Sequence, residues 1–272
     1  MSRMSLPAIT VVTPCLNAHA TIAETIESVR SQGYPDVEHL VIDGGSDDGT
    51  LDLLEAADGV SFVSEPDRGL SDAVNKGIRR ARGEVIGWLN ADDVYLAGAL
   101  ARVGQALARR PDALWATGRC RIEDGDGREI RSFVSAYKNL LVRRYSYGLL
   151  LTQNFVSCPS TFVRRTAFDR IGILDERFRY SMDYDLWLRL GRLGDPVVVD
   201  AELATFRMAE GSLSMTGFER QFAEHARNAR EHGAGHAPAV LLNRLLSGAI
   251  VAAYRGLRLG RALTRSRATT AS

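Results

Sequence analysis

The first hundred residues alternate between short apolar runs and longer segments with helical periodicity. The apolar runs have the length and the turn-residue flanks of buried strands, and they cover 8–13, 38–42, 60–63 and 85–89. The periodic segments after the first three runs predict helices over 21–31, 50–57 and 70–82. Strands that alternate with helices in this way form β-α-β units and a parallel sheet. Such a sheet delivers the loop after every strand to the same edge.

Polar side chains collect in the loops directly after these strands. They are Asn17, Asp43, Asp67, Asp92 and Asp93. Each has a local explanation, because Asn and Asp commonly form turns and helix caps. Several carboxylates at one edge nevertheless repel each other unless a cation lies among them. Mg²⁺ held by one or two carboxylates and by ligand phosphates is the simplest such cation, so the pattern favours a site for a phosphorylated ligand.

The second half of the chain is less regular. Its alternating residues predict a strand over 113–122, followed by a hairpin partner over 128–133. Beyond it we predict helices over 138–151 and 166–171 and a strand over 155–162.

Another helical face covers 180–190, with Asp183 and Asp185 at its start. Carboxylates there cap a helix or complement its dipole. From the residues alone, the simpler interpretation is that Asp183 caps the helix and Asp185 complements its dipole, since capping is the commoner use of Asp.

Composition narrows the possible functions. The 34 Lys and Arg are balanced by 33 Asp and Glu, so the chain carries no basic footprint for nucleic acid. Three scattered cysteines fit a reducing cytoplasm, and the N-terminus lacks an apolar signal core. We expect His225, His232 and His236 to be surface residues, because no cysteine or acid stands at the spacing of a zinc site.

The C-terminal segment has a pattern of its own. From Pro238 to Ser272 it contains six arginines and no acidic residue. On a helix, the first five arginines fall on one side, opposite Leu245 and Ile250. The uncharged run 245–254 is too short to span a bilayer, so we interpret the segment as a basic amphipathic helix on an anionic membrane. A helix packed on the protein itself or on a partner is the alternative.

Five motifs, in order, resemble the family 2 glycosyltransferases. They are TPCLN at 13–17, IDGGSDDGT at 42–50, SEPDRG at 64–69, DAVNKG at 72–77 and LNADD at 89–93. The resemblance covers 8–100 and resumes over 154–215, and it is greatest for bacterial enzymes that build exopolysaccharide, O-antigen or colanic-acid-type chains. It implies the GT-A fold and inverting transfer from nucleotide-diphosphate sugars.

The resemblance also implies roles for residues of the donor site. Those that would line the pocket for the base and ribose are Thr13, Pro14 and Asn17. Asp43 would accept a hydrogen bond from a uracil-type base. The residues that would line the nucleotide and diphosphate region are Asp67, Asp72, Lys76 and Asp92.

Asp92 and Asp93 match the metal motif of the family, and Asp93 would be the direct ligand of Mg²⁺ or Mn²⁺. Asn90 departs from the first acid of that motif, and Ala209 stands where relatives often carry a histidine near the metal. The segment 180–190 resembles the family's E-D-x-D-L-W-x-R segment, which makes Asp183 the catalytic base. Met182 stands in place of the preceding glutamate.

We therefore predict an α/β protein with a GT-A domain over 1–218 and a basic helical extension over 219–272. The domain would comprise a nucleotide-sugar half over 1–112 and an acceptor half over 113–218. The expected activity moves a sugar from a UDP- or GDP-type donor to a hydroxyl of a glycan or lipid-linked acceptor, in cell-surface polysaccharide or glycolipid synthesis. The expected location is cytoplasmic, with peripheral contact to the inner face of the membrane. A non-catalytic nucleotide-sugar-binding or scaffolding protein remains the alternative, since the glutamate and the histidine are missing.

Overall fold

The computed structural model describes residues 5–125, 127–130, 132–208 and 217–269, with side chains described up to residue 255. The strands are β1 Ile9–Cys15, β2 Val37–Asp43, β3 Val60–Ser64, β4 Val85–Trp88, β5 Val94–Tyr95, β6 Trp115–Glu123, β7 Thr161–Arg164 and β8 Val197–Arg207. The helices are α1 Ile22–Arg30, α2 Thr50–Ala56, α3 Leu70–Arg80, α4 Ala99–Arg109, α5 Ser132–Arg143, α6 Tyr147–Thr152, α7 Arg165–Ile171, α8 Met182–Leu193, α9 Phe218–His232 and α10 Ala237–Thr269.

In the described residues, eight strands form one sheet in the order β3-β2-β1-β4-β7-β6-β8-β5. The strands β3, β2, β1 and β4 are parallel, as the alternating first half of the sequence predicts. The other half is mixed, because β7 runs antiparallel to β4 and β6, and β5 runs antiparallel to β8. The loops after β1 to β4 therefore share one edge of the sheet.

Helix α3 shows how the sequence packs this parallel half. Its buried residues include Ala73, Val74 and Ile78, which join a core cluster with residues of β1 and β2. A Cβ at Gly77 would overlap the side chain of Val12, so glycine lets the helix axis approach the strand closely. Burying these side chains supplies most of the driving force for docking the helix.

The irregular half departs from two predictions. The hairpin over 128–133 is wrong, because Glu129 forms a single bridge to Glu123 and α5 begins at Ser132. The segment 138–151 is helical, as predicted, but it belongs to two helices, α5 and α6. The strand over 155–162 is displaced, since Cys158–Ser160 forms a 3₁₀ turn directly before β7.

The C-terminal helices pack against the rest of the protein. Tyr254 of α10 stacks on Phe218 of α9 with ring centroids 4.2 Å apart, and Arg255 pairs with Glu219. Asn243 of α10 is 1% exposed and donates to the Tyr184 hydroxyl of α8 over 3.4 Å. One face of α10 thus matches the packed-helix alternative.

Another face of α10 carries exposed apolar side chains: Leu241, Leu242, Leu245 and Ile250. Among the described residues, Ala237–Arg255 forms a stretch of 19 residues that is long and apolar enough to cross a membrane, by length and composition alone. The uncharged run 245–254 therefore understates the apolar length of this helix. A single Arg244 does not outweigh the apolar residues on both sides of it.

The prediction of surface histidines holds for the exposed His236 but not for the buried His225 or the partly buried His232. His225 is 8% exposed and contacts the ring of Tyr184, and burial lowers its pKa to about 3. His232 contacts Asp185 over 2.8 Å, and His236 packs edge-on against Tyr147. The prediction failed for His225 and His232 because their contacts, Tyr184 and Asp185, come from α8, which is distant in sequence.

Candidate active site

Asn17 joins the first two loops at the carboxyl edge of the parallel strands. Its backbone is left-handed, with a φ of 50°, a conformation that Asn adopts more readily than most residues. Its Oδ1 accepts the Asp47 amide over 3.0 Å, and its own amide donates to Ser46 Oγ over 2.8 Å. Asn17 is exposed, so it lies where a ligand at this edge can reach it.

Asp43 organises the second loop from inside. It is completely buried at the end of β2, and its Oδ2 accepts the amides of Gly45 and Ser46, each over 3.0 Å. Ser64 Oγ donates to the same oxygen over 2.7 Å. Burial raises the pKa of Asp43, but these hydrogen bonds outweigh it and hold the pKa below its usual value. The predicted contact of Asp43 with a base stays a prediction.

Thr13 and Pro14 are buried beneath this edge. The Thr13 hydroxyl lies 3.0 Å from Nε2 of His39, and burial lowers the pKa of His39 to about 4, so the pair is neutral. The two residues shape the floor of the edge, and their side chains do not line its surface.

The loop between β3 and α3 holds its charged residues in internal contacts. Asp67 Oδ1 accepts the amide of Gly69 over 2.7 Å, and the buried Asp72 accepts the Arg68 amide over 3.1 Å. Lys76 Nζ donates to the Pro66 carbonyl over 2.7 Å. The predicted phosphate contact of Lys76 would therefore require it to leave its own loop.

Arg68 is the cation that the motifs did not single out. Its side chain is 72% exposed, and its guanidinium pairs with Asp72 over 3.0 Å and with Glu176 over 2.8 Å. Its position inside the SEPDRG motif, next to the predicted Asp67, was the available signal. Arg68 thus presents an exposed guanidinium at the same edge as Asn17.

Asp93 is held inside the protein after β4. It has no exposed surface, its Oδ1 accepts the Arg207 amide over 3.0 Å, and its Oδ2 accepts the Asn90 side-chain amide over 3.0 Å. Burial, followed by the charge of Asp92, raises the pKa of Asp93 well above its usual value. Asp92 is partly exposed, and burial raises its pKa too, while Arg207 opposes the shift.

These positions bear on the predicted metal ligand. A ligand needs an oxygen lone pair that an ion can reach, so the partly exposed Asp92 fits this role better than Asp93. Among the described residues, no group of three or more His, Cys, Asp or Glu could hold a metal ion by itself. One poorly solvated carboxylate does fit Mg²⁺ or Mn²⁺ bound together with ligand phosphates. Ala209 lies outside the described residues.

Asp183 lies in the first turn of α8. The helix begins at Met182 after Ser181, so the predicted cap Asp183 stands in the first turn and not at the capping position itself. Its Oδ1 accepts the Tyr184 amide over 2.7 Å, and its Oδ2 accepts the Asn154 side-chain amide over 3.1 Å. Burial raises the pKa of Asp183, while these bonds and the charge of Lys138 oppose the shift. Asp185 is buried and paired with Arg189 over 2.7 Å, so its role is structural.

The segment 154–158 connects the two acidic centres. Asn154 binds Asp183, and Cys158 Sγ lies 3.5 Å from the Trp88 carbonyl at the end of β4. Burial, followed by the charges of Asp183 and Asp93, raises the pKa of the Cys158 thiol well above its usual value. The segment 154–158 therefore runs from Asp183 to the end of β4, the strand that directly precedes the loop with Asp92.

An open cavity of about 470 Å³ lies at the opposite edge of the sheet. It is lined by the starts of β1, β2 and β3, together with Glu38 and Arg82. Glu38 is already paired with Arg82 over 2.9 Å and accepts the Thr10 hydroxyl over 2.6 Å. This cavity contains none of the predicted site residues.

A sequence model of the family described as "Glycosyl transferase family 2" matches residues 10–172, which is more than half of the chain. The chain belongs to glycosyl transferase family 2. Its match includes the loops with Asn17, Asp43, Arg68 and Asp92.

Curated relatives of this family 2 member include the "putative teichuronic acid biosynthesis glycosyltransferase TuaG" of Bacillus subtilis. The two are 28% identical over 76% of this chain and 82% of TuaG. A "PGL/p-HBAD biosynthesis glycosyltransferase" of Mycobacterium bovis is 27% identical over 68% of this chain and 70% of that protein. An uncharacterized glycosyltransferase of Rickettsia felis is 24% identical over 79% of this chain, which spans 37% of it.

Solved structures share the fold of this chain. The mannosyltransferase PcManGT from Pyrobaculum calidifontis, in complex with GDP-Man and Mn²⁺, has a TM-score of 0.63 at 19% identity, over 95% of this chain and 81% of its own. TarS 1–349 from S. aureus, in complex with UDP-GlcNAc, has a TM-score of 0.60 at 16% identity, over 81% of this chain and 66% of its own. These likenesses confirm the predicted α/β GT-A architecture with a C-terminal helical extension.

Proposed function

We propose that this family 2 member transfers a sugar, with inversion, from a nucleotide-diphosphate donor to an acceptor hydroxyl. The observation that carries the proposal is the pair of acidic centres at Asp92 and Asp183, joined by the segment 154–158. One centre suits a diphosphate with its cation, and the other suits a base. Sugar transfer needs both a group that holds the cation and a base, whereas a scaffolding protein needs neither.

We place a donor of the UDP or GDP type at the carboxyl edge of β1 to β3 in this proposal. PcManGT and TarS, which share this fold, are named as complexes with GDP-Man and with UDP-GlcNAc. Arg68 and Asn17 are exposed at this edge. A planar guanidinium suits diphosphate oxygens, so Arg68 would exchange its bond to Glu176 for one to the donor.

Asp92 would hold a divalent cation together with the donor phosphates. The cation, when bound, neutralises the charge that develops on the departing diphosphate. Asp93 would keep its contacts to Asn90 and Arg207 and fix the loop that carries Asp92. We therefore propose Asp92 as the direct metal ligand, in place of the Asp93 that the sequence predicted.

Asp183 would take the proton of the acceptor hydroxyl as that oxygen attacks the anomeric carbon. A general base works best when its pKa lies near the working pH, and burial moves the pKa of Asp183 upward in that direction. Asn154 would hold the carboxylate in place through its 3.1 Å hydrogen bond. One base and one displacement invert the anomeric centre, since retention by double displacement needs a second carboxylate as nucleophile.

The named relatives and the surface of α10 support a role in cell-surface polysaccharide or glycolipid synthesis. Two relatives are named for teichuronic acid and for PGL/p-HBAD biosynthesis. The exposed leucines of α10 and the six arginines beyond Pro238 suit contact with an anionic membrane at its cytoplasmic face. A lipid-linked acceptor would be reached from such a position, with residues 1–218 forming the transferase domain.

The test is release of nucleoside diphosphate from a panel of UDP- and GDP-sugars, with Mn²⁺, with Mg²⁺ and with EDTA. Wild type is expected to turn over one donor, and EDTA, Asp92→Ala and Asp183→Asn are expected to abolish that turnover. Asp112→Asn is the matched control, because Asp112 is exposed and pairs only locally with Arg110. Donor binding by calorimetry without turnover of any donor, even with lipid-linked and glycan acceptors present, would contradict the proposal and favour a scaffolding protein.

A further inference from the structure

Glu224 of α9 reaches the loop directly before α8. Its Oε1 accepts the Arg179 amide over 3.1 Å. Its Oε2 accepts the Tyr180 amide over 2.8 Å and the Ser181 hydroxyl over 3.1 Å. One carboxylate from the C-terminal part of the chain thus binds three consecutive residues of this loop.

Asn228, one turn further along α9, binds the same loop. It is completely buried, and its Nδ2 donates to the Ser181 carbonyl over 3.1 Å and to Ser181 Oγ over 2.9 Å. The start of α9 also lies against Tyr180, because a Cβ at Gly217 would overlap the ring of Tyr180. Glu224 and Asn228 of α9, with Gly217 directly before the helix, therefore fix residues 179–181.

Ser181 shows what these contacts replace. A serine at the start of a helix usually accepts a hydrogen bond from an amide of the first turn. Ser181 makes no such bond within α8, and its hydroxyl turns instead to Glu224 and Asn228. The negative charge of Glu224 also lies near the positive end of the α8 dipole, which favours a carboxylate there.

This loop sets the position of Asp183. Asp183 follows Ser181 by two residues and is tied by its Oδ1 to the first-turn amide of Tyr184. Any shift in where α8 begins therefore moves the Asp183 carboxylate. Met182 is buried and apolar, so the residue directly before Asp183 gives this loop no polar support.

We propose that Glu224 is a positioning residue for Asp183, acting through the loop 179–181. The inference rests on the proposed function, in which Asp183 is the base. It assigns a part in the reaction to α9, which follows the segment matched by the family sequence model. Asn228 assists by holding Ser181 between the two helices.

Removing the Glu224 carboxylate should reduce turnover without changing donor affinity. None of the contacts of Glu224 involves the loops after β1 to β4. Misplacing a catalytic group by about 1 Å costs up to about 100-fold in rate, so Glu224→Ala should lower kcat by roughly 10- to 100-fold. Glu224→Gln keeps one oxygen that can accept a hydrogen bond from an amide. Its kcat should therefore lie between those of wild type and Glu224→Ala.

The experiment measures kcat, donor KM and the pH dependence of kcat for wild type, Glu224→Ala and Glu224→Gln, on the donor that wild type turns over. Glu231→Ala is the matched control, because Glu231 lies on the same helix and its partners among the described residues are Arg227, over 2.7 Å, and the exposed Arg177, over 3.9 Å, rather than residues 179–181. Calorimetric stoichiometry of donor binding counts the folded enzyme, so a loss of folding is separated from a loss of rate. Hydrogen exchange reports directly on the amides of Arg179 and Tyr180.

The expected result is a lower kcat at equal donor affinity and stoichiometry, with faster exchange of the two amides. Burial raises the pKa of Asp183, so a loosened Asp183 should also move the acid limb of kcat to lower pH. A Glu224→Ala enzyme with the kcat and acid limb of wild type would overturn the inference while the proposed function stands. An equal loss of rate in Glu231→Ala would overturn it as well. A wild type that transfers sugar from no donor would overturn both.

Discussion

The two acidic centres of the site are built in different ways. The centre at Asp92 is largely local, because Trp88, Asn90 and Asp93 form a hydrogen-bonded series within six residues of sequence. The centre at Asp183 is assembled from distant segments, with Asn154 on one side and Glu224 behind the loop on the other. A local centre can be recognised as a motif, whereas an assembled centre depends on tertiary packing.

The difference also separates binding from chemistry. The edge after β1 to β4 presents Arg68, Asn17 and Asp92, groups suited to hold a charged donor. The start of α8 presents one carboxylate with a raised pKa, suited to move a proton. Variants of the first group should therefore act mainly on affinity for donor or cation, and variants of the second mainly on turnover.

The largest effect is expected for Asp183→Asn. The amide keeps the size of the side chain but cannot accept a proton, so kcat should fall by about 10²- to 10⁴-fold. Donor affinity, measured by calorimetry, should remain that of wild type. A large loss of donor affinity in this variant would contradict the assignment of binding to one centre and chemistry to the other.

A smaller effect distinguishes Asp92 from Asp93. Asp92→Asn should raise the Mn²⁺ concentration needed for half-maximal activity by roughly tenfold or more, because a neutral amide is a weaker ligand for a hard cation. Asp93→Asn should instead lower the free energy of unfolding by about 1–3 kcal/mol, because its new amide would face that of Asn90. Metal titrations and urea unfolding of both variants measure this, and the reversed pattern would restore Asp93 as the ligand.

Arg68→Ala should raise the donor KM by roughly tenfold and leave kcat nearly unchanged, since one charge-assisted hydrogen bond from an exposed side chain contributes about 1.5 kcal/mol, the low end of its range. Arg68→Lys is the matched control, because it keeps the charge and loses the planar guanidinium. Initial rates over a range of donor concentrations give both constants. An unchanged KM in Arg68→Ala would exclude Arg68 from the donor site.

The smallest expected effect is a shift in pH dependence. Asp183 works only when deprotonated, so kcat should fall as the pH falls through its raised pKa, at a higher pH than for an ordinary aspartate. Asn154→Ala removes a hydrogen bond that favours the charged form, so it should move this acid limb to still higher pH. Rates at saturating donor over a pH series test the direction. A limb that moves to lower pH in Asn154→Ala would contradict the assignment.

Much of the fold could be predicted because its first half follows local rules. The strands and helices up to Arg80 alternate with clear periodicity, and turn residues mark the end of each strand. The mixed half was harder to predict, because the pairing of β7 between β4 and β6 depends on contacts far apart in sequence. The buried His225 and the partly buried His232 show the same limit, since both contact α8, a helix distant in sequence.

The placement of the acids at the carboxyl edge of the parallel strands was predictable, but their contacts were not. Asp43 and Asp93 were identified as acids at the correct edge, yet both are buried and saturated with internal hydrogen bonds. Asn75, inside a predicted motif, exchanges two hydrogen bonds with the backbone of Leu174 and so ties α3 to the second half. No spacing rule reveals such a contact across 99 residues of sequence.

In the proposed mechanism a single base, Asp183, assists one displacement at the anomeric carbon. Proton NMR of the first sugar product formed from the accepted donor is the decisive measurement, since it reports the configuration of the new glycosidic bond. We expect a configuration opposite to that of the donor. A retained configuration would contradict it, because retention by double displacement requires a carboxylate nucleophile in addition to Asp183.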